Sequence, residues 1–547
     1  MLDARSWMLA KKGVIPYRYP VSRNQYPVSR PNEAQTSLYG DEAVNPKNII
    51  LRAIAGLGDH FILIQAPKQE NEIRLSPALN RVPENLRHIH LLGICGTGMA
   101  SLAGMLKQKE FVVSGSDQNI YPPMSHFLKA LSIPVLEGYR PDNLHPEPDL
   151  VIVGNVITRQ NPEAVELANL RLPYLSFPQA LRHFAMKEKR SIVISGTHGK
   201  TTTSALVAWI LEKAGMDPCF MIGGIPQNFH TNFKLGKGTC FVIEGDEYDT
   251  AFFDKGPKFL HYNPWVTILT SIEFDHADIY RDLNHVVESF RKLIDIMPPG
   301  GLLIANGDDS TITAEIKRAK CPVVTYGLSK NGLWRAVDIA VQEDATRLTI
   351  LKAGKKYVSL STPLYGHHNI SNLLSAVVLA DFLKVPSPAL SEAVKSFKGV
   401  RRRQEIIGEK QGILIVDDFA HHPTAVKGTV EAVKEKHRDR RLIAVFEPRS
   451  NSSRRNIFQM QYATSFGKAD LIMIPEPPLM QNIPPSERFS SQRLVKDLKK
   501  KGLEAFYFPD TNQLIEALVD KAQAGDVILI MSNGAFDNLQ HRLLERL

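Results

Sequence analysis

The segment Ser195-Gly196-Thr197-His198-Gly199-Lys200-Thr201-Thr202-Thr203 joins two glycines, one lysine and a run of hydroxyl side chains in a single turn. Residues of these types at this spacing make a cradle for phosphate. Gly196 and Gly199 let backbone N–H groups close on phosphate oxygens, and a helix that follows adds the positive end of its dipole. Lys200 has the reach for the β- and γ-phosphates of a nucleoside triphosphate, and the Thr201 hydroxyl is placed to hold Mg²⁺. Only two residues separate Gly196 from Gly199-Lys200-Thr201, which is shorter than the common phosphate-binding loop.

Two acidic clusters follow. The apolar run Thr239–Ile243 delivers Glu244-Gly245-Asp246-Glu247, and Val266–Thr270 delivers Ser271-Ile272-Glu273-Phe274-Asp275-His276. Carboxylates and a neutral imidazole at strand ends beside a phosphate turn are where further metal contacts belong, which points to Glu244 and His276 alongside Thr201. Upstream, His88–Leu92 runs into Gly93-Ile94-Cys95-Gly96-Thr97-Gly98-Met99-Ala100, a variant of the dinucleotide fingerprint. Asp117, about twenty residues on, is spaced to bind a ribose. Asn155 follows Gly154 at the end of a third strand, Leu150–Val153. NAD and a nucleotide-linked sugar pyrophosphate both suit this turn; the triphosphate site downstream favours the sugar nucleotide.

These groups need strands and helices to hold them. The β-branched run Ile192–Ile194 predicts the strand entering the phosphate turn, and Ala205–Ala214 the helix leaving it. Beyond Gly399, strands are expected at Ile413–Val416, Leu442–Val445, Leu471–Ile474 and Val527–Ile530, with helical stretches between them, as in an α/β unit. A chain of 547 residues is too long for one core and implies about three domains. Residues 171–190 read as a linker. The composition is 43% hydrophobic and 22% charged, with no apolar run long enough to span a bilayer. The four cysteines lack metal-ligand spacing and read as reduced thiols of a cytoplasmic protein. Of the net charge of +9, more than half lies in the first thirty residues, where six basic side chains face only Asp3. A nucleic-acid partner therefore does not follow from the charge. Residues 1–85, rich in Pro, Asn, Gln and Arg, read as a disordered leader without recognisable chemistry, or as an over-extended gene start.

The ordered set of motifs resembles the Mur ligases, ATP-dependent amide-forming enzymes of peptidoglycan metabolism. It comprises Thr-His-Gly-Lys-Thr-Thr-Thr, Glu-Gly-Asp-Glu-Tyr-Asp and Glu-Phe-Asp-His, then Gly366-His367-His368-Asn369-Ile370-Ser371-Asn372 and Arg402-Arg403-Gln404-Glu405. Asp417-Asp418-Phe419-Ala420-His421-His422-Pro423-Thr424 and Met531-Ser532-Asn533-Gly534 complete it. The resemblance spans about residues 86–547. It implies an α/β protein of three domains after the leader 1–85. These are a Rossmann-like UDP-sugar domain (86–185), a central P-loop ATPase (186–398) and a Rossmann-like C-terminal ligase domain (399–547). Within the family, Glu244–Lys255 with Lys258-Phe259-Leu260-His261-Tyr262, Tyr121-Pro122-Pro123-Met124-Ser125 and Glu447-Pro448-Arg449-Ser450-Asn451 resemble the murein-recycling branch. That branch joins the tripeptide L-alanyl-γ-D-glutamyl-meso-diaminopimelate to UDP-N-acetylmuramate. The alternative is the branch that adds a single L-alanine to the same sugar nucleotide.

The resemblance implies ATP as co-substrate and Mg²⁺ as cofactor, in a cytoplasmic monomer with no nucleic-acid or membrane partner. It implies that Gly196, Thr197, His198, Gly199, Lys200, Thr201 and Thr202 surround the phosphates, that Asn369 reads adenine, that Asp418 holds the ribose, and that Arg403 contacts phosphate across a closed interface. Lys200, Glu244, His276 and Arg403 are then catalytic, with Thr201, Glu244 and His276 on the metal. Gly93, Gly96, Thr97, Gly98, Asp117 and Asn155 are expected at the UDP-sugar, and Arg449 at the tripeptide carboxylates, which suit a guanidinium. Several Mur ligases carry a carbamylated lysine about fifteen residues beyond the metal histidine. Arg291 stands there, which cannot form that carbamate. A nucleotide-gated switch would leave Arg403 and Asp418 without a purpose, and an NAD-dependent dehydrogenase would leave Lys200 idle.

Overall fold

The computed structural model describes residues 75–121, 124–329, 332–478 and 480–547. Three α/β domains follow one another, each built on a largely parallel sheet. The first sheet holds β1 (His88–Leu92), β2 (Val112–Asp117), β3 (Val135–Glu137), β4 (Leu150–Val153) and β5 (Tyr174–Ser176), in the order β3-β2-β1-β4-β5. All of its pairings are parallel, and β1, β4 and β5 are almost wholly buried, as helices on both faces require.

The central sheet contains β6 (Arg190–Ser195), β7 (Cys219–Met221), β8 (Phe233–Lys234), β9 (Cys240–Gly245), β12 (Pro264–Leu269), β13 (Leu302–Asn306) and β14 (Val323–Gly327). It is extended by β15 (Trp334–Val341), β16 (Thr346–Lys352) and β17 (Lys355–Thr362), the last three an antiparallel meander. The order is β17-β16-β15-β14-β13-β12-β6-β9-β7-β8. A separate hairpin, β10 (Asp249–Ala251) and β11 (Asp254–Pro257), follows the acidic cluster. The third sheet runs β18-β19-β23-β20-β21-β22, from β18 (Glu405–Lys410), β19 (Ile413–Asp418), β20 (Leu442–Phe446), β21 (Leu471–Pro475), β22 (Ala505–Phe508) and β23 (Val527–Met531).

The first two domains share one apolar core. Leu102 and Met105 of the helix Thr97–Gln108 belong to the same buried cluster as Met221, Phe233 and Phe241 of the central sheet, and the Phe127 and Phe233 rings meet edge-on at 5.9 Å. The C-terminal domain meets the central one through apolar packing of Phe274, Val341 and Tyr365 on its core and through polar contacts around the site. Ala277 N–H donates to Ser452 Oγ at 3.2 Å, Asn451 Nδ2 to Asp278 at 2.9 Å, and Thr424 Oγ1 to Glu273 at 2.6 Å. A shared apolar core fixes two bodies together; polar contacts around a site are ones that water can re-enter.

Two expectations need correction. Residues 171–190 are not a linker: they contain β5 and the helix Phe177–Phe184, closed by a capping box between Ser176 and Gln179. Tyr174, Leu175, Phe177, Ala180 and Leu181 are buried, so this short stretch is core, and only 185–189 connect the domains. The expected disorder of the leader fails over 75–85. Asn80 Nδ2 donates to the Tyr174 carbonyl at 3.0 Å, Gln179 Nε2 donates to Asn80 Oδ1 at 2.8 Å, and Leu75 and Leu79 pack against the first domain. Residues 1–74 lie outside those described. A chain beginning at Asn85 should therefore be less stable than one beginning at Leu75, by on the order of 2–4 kcal/mol from the lost bonds and packing. Equal melting midpoints for the two would show that 75–84 contribute nothing.

Candidate active site

Strand order decides which motifs meet. In the central sheet β6 lies between β12 and β9, all parallel, so the segments leaving their carboxyl ends converge. Ile194 pairs with Glu244, and Ser195 with Leu269, which brings both acidic clusters beside the phosphate turn. Gly196 has φ of 133° and Gly199 of 83°, and a Cβ on either would overlap the Thr270 hydroxyl or the Asn372 side chain. The end of β12 braces the turn: Thr197 N–H donates to the Ser271 carbonyl at 2.9 Å, and the Thr270 hydroxyl donates to the His198 carbonyl at 2.5 Å. Gly199 then caps the helix Lys200–Lys213, whose first residues Lys200, Thr201 and Thr202 line a cavity.

The charges here are buried and tightly paired. Lys200 Nζ donates to the Gly196 carbonyl at 2.7 Å and to Glu247 Oε2 at 2.9 Å. Glu247, 2% exposed, reaches His276 Nε2 with its other oxygen at 3.5 Å. Burial would raise the Glu247 carboxyl, but Lys200 and His276 outweigh it and hold it down at about 2. Burial lowers the His276 imidazole, and Glu247 more than reverses this, so it lies above its ordinary value. Thr201 Oγ1 donates to Glu244 Oε2 at 2.9 Å, and Gly223 N–H to Glu244 Oε1 at 2.5 Å. Burial and the nearby Asp246 nevertheless push the Glu244 carboxyl up. A buried carboxylate short of positive charge, next to a hydroxyl, is a set of hard oxygen donors that suits Mg²⁺. Glu247 was not singled out from the sequence. Its place in the same acidic run was the signal, and only the strand register tells it from Glu244.

Residues from the C-terminal domain close the site. Arg403 Nη2 lies 3.4 Å from Thr201 Oγ1, with its guanidinium carbon 4.7 Å from the Phe419 ring centroid. Thr197, Lys200, Thr201 and Arg403 line two cavities at once. The first is completed by His198, Gly199, Thr202, Asn369 and Asp418. Asn369 Nδ2 donates to Gln404 Oε1 at 2.9 Å, and Asp418 accepts from the amides of Gln404 and Ala420, both at 2.7 Å. The second cavity is completed by Thr97, Gly98, Glu244, Asp246, Tyr248, Lys258, His276 and Arg449. Lys258 Nζ stands 4.0 Å over the Tyr248 ring and 3.6 Å from Asp246, and burial pulls its ammonium below the ordinary value. Arg449 pairs with Glu447 at 3.3 Å and fills the space where a Cβ on Gly534 would stand.

The remaining expected residues are placed less directly. Gly93 (φ 79°) and Gly96 shape the first-domain turn, but neither lines the second cavity, nor do Asp117 and Asn155. Asp117 accepts from the amides of Cys95 at 2.9 Å and Asn119 at 3.0 Å, bracing the glycine turn. Asn155 is exposed. Arg291 is paired bidentately with Glu315 at 2.8 and 2.7 Å and lines neither cavity. No helix among the described residues is long and apolar enough to cross a membrane.

Three family profiles match the chain in this order: Mur ligase family, catalytic domain, over 88–189; Mur ligase middle domain over 194–380; and Mur ligase, glutamate ligase domain, over 402–534. The UDP-N-acetylmuramate–L-alanyl-γ-D-glutamyl-meso-2,6-diaminoheptandioate ligase of Escherichia coli K12 is 40% identical over 84% of this chain and 98% of its own. The chain belongs to the Mur ligase family. A murein peptide ligase from Psychrobacter arcticus matches at 34% identity and TM-score 0.65, covering 84% of this chain and 98% of its own. The UDP-N-acetylmuramate–alanine ligase of Thermotoga maritima matches at 26% identity and TM-score 0.71, covering 84% and 99%. Both kinds of Mur ligase thus share this fold, and sequence separates them better than shape does. Of the stretches that resemble the recycling branch, Tyr248, Lys258 and Arg449 line this Mur ligase's second cavity, whereas Tyr121, Met124 and Ser125 do not. Pro122 and Pro123 lie outside the described residues.

Proposed function

We propose that this Mur ligase joins L-alanyl-γ-D-glutamyl-meso-diaminopimelate to UDP-N-acetylmuramate at the expense of ATP, in murein recycling. The observation that carries the reading is the pair of cavities sharing Lys200, Thr201 and Arg403, with Tyr248, Lys258 and Arg449, from two of the stretches that resemble the recycling branch, in the second. The E. coli and Haemophilus influenzae relatives with this ligase name support it at 40% and 37% identity.

A free carboxylate does not acylate an amine in water. The first cavity holds ATP and the second the muramoyl carboxylate and the peptide amine, so the phosphoryl group passes between them at the shared wall. The carboxylate becomes an acyl phosphate, the L-alanyl amine attacks its carbonyl carbon, and phosphate departs, leaving an amide and ADP. Lys200 leaves Glu247 for the γ-phosphate, and Arg403 meets the charge that builds on the transferring group. Thr201, Glu244 and His276 would hold Mg²⁺, which neutralises phosphate charge when bound. Asn369 and Asp418 take the adenosine end, and Thr97 and Gly98 the sugar nucleotide. Arg449 and Lys258 supply cations for the acceptor's distal carboxylates. In this reading the enzyme works in the cytoplasm, as a monomer.

An acceptor panel of L-alanine, dipeptide and tripeptide, each with UDP-N-acetylmuramate and ATP, tests the assignment. The tripeptide should be used far better than L-alanine; equal use of both would reject the branch. Arg449→Ala should lower kcat/KM for the tripeptide roughly ten- to a hundredfold, the loss of a charge-assisted pair worth about 1.5–3 kcal/mol. ATP affinity should change little. Equal losses for both acceptors would reassign Arg449 to closure of the site.

A further inference from the structure

Three side chains beside the nucleotide cavity converge in a way the ligase chemistry does not require. His198 follows Thr197 in the phosphate turn, Glu273 leaves the end of β12, and His422 caps the helix Pro423–Lys436. His198 Nε2, Glu273 Oε2 and His422 Nδ1 all lie within 4.8 Å of one another, and the carboxylate oxygen is 3.6 Å from each nitrogen. Zinc ligated tetrahedrally at about 2.0–2.1 Å spaces neighbouring donors roughly 3.3 Å apart. The two nitrogen–carboxylate spacings exceed this by a few tenths of an ångström, and the two nitrogens, within 4.8 Å of each other, must draw closer for the three atoms to become corners of that polyhedron.

The hydrogen bonds around the cluster favour ligation. His422 Nε2 lies 3.2 Å from the Phe274 carbonyl, an acceptor, so this nitrogen carries the proton and Nδ1 keeps its lone pair, 3.6 Å from Glu273 Oε2. An imidazole whose second nitrogen donates to a backbone carbonyl is the usual state of a metal-bound histidine. Thr424 N–H approaches Nδ1 only at 3.3 Å, a long contact that a cation would displace. His198 Nε2 is shut off from solvent and has no hydrogen-bond partner. The two ring centroids are 4.7 Å apart with the ring planes tilted by 47°, so the imidazoles lie side by side next to the carboxylate.

We propose that His198, Glu273 and His422 bind one transition-metal ion of the zinc class, with a fourth position open towards the nucleotide cavity. Two imidazoles and one carboxylate suit Zn²⁺ or Co²⁺, whereas the oxygen donors of Thr201 and Glu244 suit Mg²⁺. The ion joins two residues of the central domain to one of the C-terminal domain, across the seam between them.

Cobalt titration of the full-length, nucleotide-free protein tests this without turnover, so its failure leaves the ligase reading standing. Visible cobalt bands should saturate at one equivalent and be bleached by Zn²⁺. Glu273→Ala and His422→Ala, each checked for native circular dichroism, should weaken cobalt binding at least tenfold, and His276→Ala should leave it unchanged. Zinc-edge X-ray absorption of the wild-type protein should show two imidazoles and no sulfur, a readout that needs no variant. Absence of saturable binding, equal binding by the Glu273 and His422 variants, loss in His276→Ala, or sulfur around the zinc would each overturn the site.

Discussion

Lys200→Met should cut turnover by roughly a thousandfold or more, since it removes the lysine that can follow the γ-phosphate in the shared wall of the two cavities. It should also cost stability. Glu247 is 2% exposed and relies on Lys200 at 2.9 Å, so the variant strands a buried carboxylate, at a cost of about 3–5 kcal/mol. The double variant Lys200→Met/Glu247→Gln should recover most of that stability and none of the activity. The Glu247 carboxyl is held at about 2, below its unfolded value. Its contribution to stability is thus complete above about pH 4.5 and disappears as pH falls towards 2, and Lys200→Met should weaken this acid dependence. Denaturant melts across that range with steady-state rates check both parts. A folded Lys200→Met variant retaining a tenth of normal turnover would remove Lys200 from the chemistry.

Arg403→Ala should lower kcat by about a hundred- to a thousandfold while the Kd for ATP changes far less. The guanidinium lies 3.4 Å from Thr201 Oγ1 and lines both cavities, at the place where charge crosses from one substrate to the other. Its interaction is therefore strongest with the phosphoryl group in transit, and an effect on kcat is the signature of such a contact. Arg403→Lys should recover little, because an ammonium supplies neither the planar fork nor the stacking on Phe419 at 4.7 Å. Fluorescent-nucleotide binding and single-turnover rates separate the two quantities. A proportional loss of ATP affinity and kcat would make Arg403 a ground-state ATP ligand only.

Much of this site is legible in the sequence because strand ends carry it. Apolar runs of β-branched residues announced β6, β9 and β12, and the polar residues just beyond each run are the ones that converge. Which carboxylate does what was not legible. Glu244 and Glu247 are three residues apart, and only the pairing of Ile194 with Glu244 sends one to Thr201 and the other to Lys200. The strand and helix at 174–184 were hidden because a three-residue strand gives too few positions for alternation to register. The packing of 75–80 depends on Asn80 meeting Gln179, a side-chain pair between distant parts of the chain that no local pattern reports. Alternation in β16 was there to be read, with Thr346, Leu348 and Ile350 inward, but nothing chemical pointed to it.

Arg449 lies in the volume that a Cβ on Gly534 would occupy, although the two residues leave the ends of different strands, β20 and β23. The position of a long cationic side chain in the second cavity is therefore specified by the shortest residue opposite it. Among relatives, the two positions are expected to drift together: a lineage that gains any side chain at 534 must shorten or redirect the residue at 449, and with it exchange the acceptor it accommodates. Covariation between these positions, rather than the identity of either alone, should then trace where the family's acceptor preference changed.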